Sequence, residues 1–112
     1  MSGFLYLYRD GDSSGTPEQR QQLMQKWGAW LQDLGAKGHI KDQGNPLVPT
    51  GKVVKKKTAI TDGPYAEAKD ILGGYTLVQA KDISEAARLA AGCPIFDNGG
   101  FVEVCPIMQM SM

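Results

Sequence analysis

Three features of this 112-residue chain predict a small α+β domain of the split β-α-β, ferredoxin-like type. Apolar runs and amphipathic stretches follow one another in the order strand, helix, two strands or more, helix, strand. Both helical stretches open on N-capping sequences, which mark where they start. The better strands are apolar on both faces, whereas two helices can cover only one side of an antiparallel sheet. The side left over would be a larger apolar patch than a soluble monomer usually carries, and a twofold partner laying its own sheet against it resolves the excess. The expected assembly is therefore a homodimer.

The run Gly3-Phe4-Leu5-Tyr6-Leu7-Tyr8 is the first strand, and the polar, glycine-containing residues 9–15 end it. Thr16 then caps a helix, Pro17 takes the first helical position, and Gln19 completes a capping box. Leu23, Trp27, Trp30, Leu31 and Leu34 recur at helical spacing as one apolar stripe, with Gly35 or Gly38 as the C-cap. His39-Ile40-Lys41 and Pro46-Leu47-Val48 read as a weak strand broken at Gly44-Asn45-Pro46. After Gly51-Lys52, residues 53–60 read as a second weak strand, and the two make a marginal hairpin at a sheet edge. Asp62-Gly63-Pro64-Tyr65 is a turn, and residues 66–72 form a helical turn or stay irregular.

Gly73-Gly74 opens a strand over residues 75–80, again apolar on both faces at Leu77 and Val78. Asp82-Ile83-Ser84-Glu85 is a second capping box, starting a helix with Ile83, Ala86, Ala87, Ala90 and Ala91 on its inner side. Gly92-Cys93-Pro94 stops it, residues 96–100 form a loop, and residues 101–107 are the last strand. The alternating Met108, Met110 and Met112 extend that strand or fray.

The chain has room for one domain, residues 1–112, and a hydrophobic fraction of 42% is enough for one core. Twelve basic and twelve acidic residues cancel, which removes the electrostatic footprint of a nucleic-acid binder. Lys55-Lys56-Lys57 reads as a solvated edge that discourages sheet-to-sheet association rather than as a phosphate patch. No long apolar run or leader is visible, so no membrane partner is expected and the reducing cytoplasm is the expected location. Cys93 and Cys105 lack the CxxC spacing of a zinc or redox motif and read as buried free thiols. With one histidine, no phosphate-cradling loop and no Ser-His-Asp set, neither a metal nor a cofactor is expected.

The stretch Thr61-Asp62-Gly63-Pro64-Tyr65-Ala66-Glu67-Ala68-Lys69-Asp70-Ile71-Leu72-Gly73-Gly74-Tyr75 resembles the signature of the DGPF branch of the YCII-related protein family. The resemblance extends to the aromatic opening strand, Trp27-Gly28-Ala29-Trp30, the helix from Lys81-Asp82 to Gly92-Cys93-Pro94, and Val102-Glu103-Val104. It implies a dimeric α+β barrel of ferredoxin-like subunits with an Asp-centred cleft whose chemistry is unassigned. Members that occur fused or adjacent to extracytoplasmic-function sigma factors imply an alternative, a regulatory interaction module. The family usually has Phe where Tyr65 stands and Arg where Cys105 stands; if that Arg pairs with an acid or a ligand anion in the family, the contact is lost here.

Asp62 is the candidate general base: the turn holds its carboxylate, and burial against the sheet would raise its pKa toward neutrality. The alternative is that Asp62 only builds the turn by accepting backbone N–H bonds. Glu67 and Lys69 flank a polar substrate if their segment is extended, or form an exposed ion pair. Tyr65 adds a hydroxyl beside them. Trp30 lines a cleft at a helix end, or belongs to the core. His39 acts as a base, or caps the first helix where the dipole favours imidazolium. Glu103, an acid among apolar neighbours on a central strand, sits in a cavity or pairs across the dimer. These residues and a small-molecule ligand make up the expected site.

Overall fold

The computed structural model describes residues 1–12, 14–63 and 71–110. Its main sheet contains strands β1 (Ser2–Arg9), β2 (Ile40–Asp42), β5 (Leu72–Ala80) and β6 (Phe101–Pro106) in the order β2-β5-β1-β6, every neighbour antiparallel. Helix α1 (Pro17–Ala36) connects β1 to β2, and α2 (Ile83–Ala90) with a 3-10 turn (Pro94–Asn98) connects β5 to β6. This is the expected ferredoxin-like topology. Strands β3 (Gly51–Lys56) and β4 (Ala59–Gly63) form a separate two-stranded sheet between β2 and β5.

The helix ends follow from their sequences. Thr16 Oγ1 accepts from the Gln19 N–H at 3.1 Å, and Gln19 Oε1 accepts from the Thr16 N–H at 2.9 Å, closing the box. At the other end Gly38 has φ +81°, which lets the His39 N–H reach back to the Leu34 carbonyl at 2.9 Å. The start of α2 differs in detail. Asp82 Oδ1 accepts from the Glu85 N–H at 2.9 Å, while the Glu85 carboxylate takes the Lys81 N–H instead of that of Asp82.

The helices cover one face of the sheet, and the alternation of the strands decides what lies there. Phe4, Tyr6 and Tyr8 of β1, Thr76, Val78 and Ala80 of β5, and Ala86 and Ala90 of α2 are buried together with Cys93 and Ile95. Trp27 and Trp30 of α1 close over them, and Leu34 is the buried residue of that helix. On α2 the inner residues are Ala86 and Ala90. Ile83, expected on that side, is 48% exposed, and Ala87 and Ala91 are exposed too, because a helix of two turns has only a narrow inward stripe.

The segment between β2 and β5 departs most from expectation. Residues 53–60 do not form one strand at the sheet edge; the chain reverses at Lys57-Thr58 and pairs β3 with β4, Val54 facing Ile60 and Lys52 facing Asp62. Val53 and Val54 on one side, and Ala59 to Thr61 on the other, satisfy each other instead of the main sheet. β2 alone takes the edge, continued by a single bridge between Pro46 and Gly74. Gly44 makes that passage possible: its φ is +74°, and a Cβ there would lie 1.8 Å from the Tyr75 carbonyl oxygen. The last strand ends at Pro106, so Met108 and Met110 do not extend it. Most of the expected turn at 62–65 and of the segment 66–72 falls outside the described residues.

Candidate functional site

The sheet face turned away from the helices carries the other half of each alternation. In β1 these residues are Leu5, Leu7 and Arg9; in β5, Tyr75 and Leu77; in β6, Phe101, Glu103 and Cys105. Register sets them in rows. Leu77, Leu5 and Cys105 lie side by side, and Tyr75, Leu7 and Glu103 form the next row. Among the described residues no helix packs on this face, and it is an apolar field that contains the charged side chains of Arg9 and Glu103. Arg9 Nε donates to Glu103 Oε1 at 3.0 Å, diagonally across the β1–β6 ladder.

That pair revises the expectation for Glu103. β6 is an edge strand, not a central one, and the partner of Glu103 is Arg9 of the same chain. The side chains are 24% and 47% exposed, so both remain within reach of anything that covers the face. Beside them, burial first and the Glu103 carboxylate second push the Cys105 thiol up from its ordinary value, with Arg9 opposing. Cys93 is on the helix side, and burial pushes its thiol up to about 12. Both cysteines are free; Cys93 is buried and Cys105 half-buried, so the expectation of two buried thiols holds for one.

Next to Arg9, Asp10 has φ 61°, a left-handed conformation that Asp tolerates better than most residues. Its carboxylate accepts from the Ile71 N–H at 3.0 Å, and its own N–H donates to the Ile71 carbonyl at 3.0 Å. This clamp anchors the point where the chain re-enters the sheet after residues 64–70. Sequence reasoning assigned Arg9 and Asp10 to a loop and missed both. The available signal was an Arg-Asp pair directly following an apolar strand, where the last inward–outward alternation still holds.

The sequence candidates are dispersed. Asp62 is on β4, with its carboxylate ion-paired to Lys52 across the hairpin and 83% exposed, so among the described residues it is not lodged against the main sheet. Trp30 belongs to the aromatic cluster: its ring centroid lies 6.2 Å from Tyr6 and 5.8 Å from Trp27, and its Nε1–H donates to the Leu89 carbonyl at 3.4 Å. It ties α1 to α2 beneath the covered face. His39 Nδ1 is 2.9 Å from the Gln79 carbonyl, a contact that requires the proton on Nδ1, and its backbone carbonyl accepts from the Gln79 N–H at 2.8 Å. It fastens the end of α1 to β5. Tyr65, Glu67 and Lys69 lie outside the described residues.

A groove of about 390 Å³ runs between α1 and β2, lined by Gly28, Leu31, Gln32, Gly35, Ile40 and Gln43. It is open to solvent, and its walls are apolar with the two neutral amides of Gln32 and Gln43, so it offers no group that would transform a ligand. Beneath it the Tyr8 hydroxyl donates to Thr76 Oγ1 at 2.7 Å, and Thr76 donates to the Gln43 carbonyl at 2.9 Å, leaving no polar atom of that chain unpaired. Among the described residues no group of three His, Cys, Asp or Glu is placed to hold a metal ion, and no helix is long and apolar enough to cross a membrane.

No curated protein sequence matches this chain. Among solved structures it is similar to 5-chloro-2-hydroxyhydroquinone dehydrochlorinase from Burkholderia phenoliruptrix AC1100, in complex with 2,5-dihydroxybenzoquinone. The identity is 20% and the TM-score 0.48, covering 95% of this chain and 93% of that one. A likeness this loose carries no inference about chemistry. Sequence and topology converge on a different statement: over residues 1–111 the chain matches the YCII-related domain, and it belongs to that family.

Proposed function

We propose that this protein is a homodimeric small-molecule-binding protein of the DGPF branch, working in the cytoplasm, whose site forms where the open sheet faces of two copies meet. The observation that carries the reading is the Arg9–Glu103 pair set among Leu5, Leu7, Tyr75 and Leu77 on a face that no helix of the described residues covers. Stacking two such faces excludes water from the apolar rows and leaves a few polar groups pointing into an apolar chamber, the usual make-up of a ligand site. Enclosure also strengthens a charged pair, because the surrounding dielectric falls. Arg9 offers a planar donor fork to a carboxylate or phenolate oxygen, and Glu103 accepts from a hydroxyl.

Asp62 remains the proposed general base. It is the acid of the Asp-Gly-Pro-Tyr stretch, and the segment bearing Tyr65, Glu67 and Lys69 follows it and rejoins the sheet at the Asp10–Ile71 clamp beside Arg9. A ligand or second chain that covers Asp62 and competes for Lys52 would place its carboxylate against the proton it takes. Trp30 and His39 hold the scaffold in this reading and do not touch the ligand. No observation of its own favours a sigma-factor interaction module.

Native mass spectrometry of the freshly purified protein tests this. The wild type is expected as a dimer carrying a small adduct that Arg9→Ala loses while staying dimeric, and that Asp62→Ala retains if Asp62 acts in catalysis rather than binding. A monomer, or an adduct retained by Arg9→Ala, would overturn the assignment.

A further inference from the structure

The hairpin of β3 and β4 is out of keeping with the rest of the molecule. A two-stranded hairpin is marginal in water unless something packs against it. Here each strand pairs with the other, and neither makes substantial contact with another described element. The radius of gyration is 15.6 Å, against about 13 Å for a compact chain of this length, so some part of the chain stands away from the body. Alternation puts Lys52, Val54, Ile60 and Asp62 on one side of the hairpin, with Val54 directly opposite Ile60. Those two apolar side chains are 63% and 59% exposed, whereas Val53 and Ala59 are half-buried. The hairpin thus presents an apolar pair on one face, an ion pair at its base, and Lys55, Lys56 and Lys57 at its tip.

We propose that β3–β4 is an arm exchanged between two copies of this chain, its Val54–Ile60 face and lysine tip resting on the body of the other copy. The inference rests on the dimer proposed above and adds to it a contact outside the stacked sheets. Charge selects the occupant. Residues 51–63 carry four lysines and one aspartate, a net +3, and the remainder of the chain, with eight cations and eleven anions, is −3. Each arm is therefore complementary to the body of an identical copy, and twofold symmetry forms the contact twice. Reach fits as well: an arm of six paired residues extends about 20 Å from its base, the width of a four-stranded sheet. Area points the same way. The open sheet face offers a footprint of about 400 Å² from strand spacing and rise, short of the roughly 800 Å² per partner of a standard interface, and one arm given and one received narrow the difference.

The test is carbodiimide cross-linking of protein assembled from equal amounts of ¹⁴N- and ¹⁵N-labelled chains, with peptides identified by mass. Lysines of the tip are expected to join carboxylates outside residues 51–63 in mixed light–heavy pairs, at the level random pairing gives. Ile60→Glu, an exposed change that should leave the circular dichroism spectrum unaltered, is expected to weaken dimerisation at least tenfold in sedimentation equilibrium, and added salt to weaken the wild type. A dimer whose tip lysines link only within their own chain, or whose affinity ignores Ile60→Glu, overturns the exchanged arm and leaves the stacked-sheet dimer standing. A wild-type monomer overturns both.

Discussion

The two faces of the main sheet are cut from the same strands, residue by residue, and yet they are finished to different standards. On the covered face both buried tyrosine hydroxyls have a partner: Tyr6 donates to the Ala86 carbonyl at 2.5 Å, and Tyr8 to Thr76 at 2.7 Å. Tyr8 meets Trp27 edge-on with centroids 4.7 Å apart, and Trp27 meets Trp30 at 82°. On the open face Leu5, Leu7 and Leu77 are apolar and only half-buried among the described residues, and the charged pair among them is 24% and 47% exposed. The difference teaches that burial within one chain accounts for half of the hydrophobic pattern in these strands. The other half is left open by the described residues.

Truncation on each face sharpens that contrast most. Tyr6→Ala removes a fully buried ring and its hydrogen bond, and should cost about 4 kcal/mol in urea unfolding, at any protein concentration. Leu7→Ala, one residue along the same strand, should cost only about 1 kcal/mol when the protein is dilute, since its side chain is half-buried in a single copy. Its cost should then grow as concentration rises, because a dimer's stability depends on protomer concentration. If Leu7→Ala is as damaging as Tyr6→Ala in dilute solution, the faces are not different in kind.

The sequence made that covered face readable and left the arm unread. The capping residues Thr16, Gln19 and Asp82 act locally, so their role can be seen in a string of letters. The two-sided strands announced themselves because a period of two is fixed by backbone geometry. The hairpin did not, since Lys57-Thr58 carries no glycine or asparagine to mark a reversal, and the β-branched residues on both sides continue one pattern. Glu103 was legible as anomalous, but its partner was not: Arg9 is 94 positions away, and only the antiparallel register of β1 and β6 makes them diagonal neighbours. Asp62 was picked for a turn, and it sits on a strand opposite Lys52, a pairing that depends on the unread reversal.

Alkaline pH separates the faces by a second route. Desolvation pushes Tyr6 from 10.0 up to about 12, and it pushes Tyr8 up too, partly offset by the Thr76 hydrogen bond. Above pH 10 an unfolded Tyr6 gives up its proton while the folded one keeps it. The unfolded state then binds fewer protons, so stability must fall as pH rises. The contribution is whole below pH 10 and is lost on the way to pH 12. The slope from one such group is about 1.4 kcal/mol per pH unit. Tyr6→Phe should flatten the profile by that amount between pH 10 and 12 in urea titrations. An unchanged profile would mean that the phenol ionises freely and that the covered face admits water.

Glu103→Gln should have the smallest effect on stability and is the most informative about function. The carboxylate is half-exposed, and ion pairs in that setting contribute under about 1 kcal/mol once desolvation and side-chain ordering are set against attraction. Gln keeps the shape and one acceptor oxygen, so the unfolding free energy of the dilute protein should move by less than about 0.5 kcal/mol. The ligand should respond otherwise. Within a chamber closed by a second sheet, removing the charge alters the polar balance beside Arg9 and what the site can hold, so retention of the native adduct should fall at least tenfold. A stability loss above about 2 kcal/mol with the adduct undisturbed would make the pair a strut between β1 and β6, and the open face would then have to find its use in the apolar rows alone.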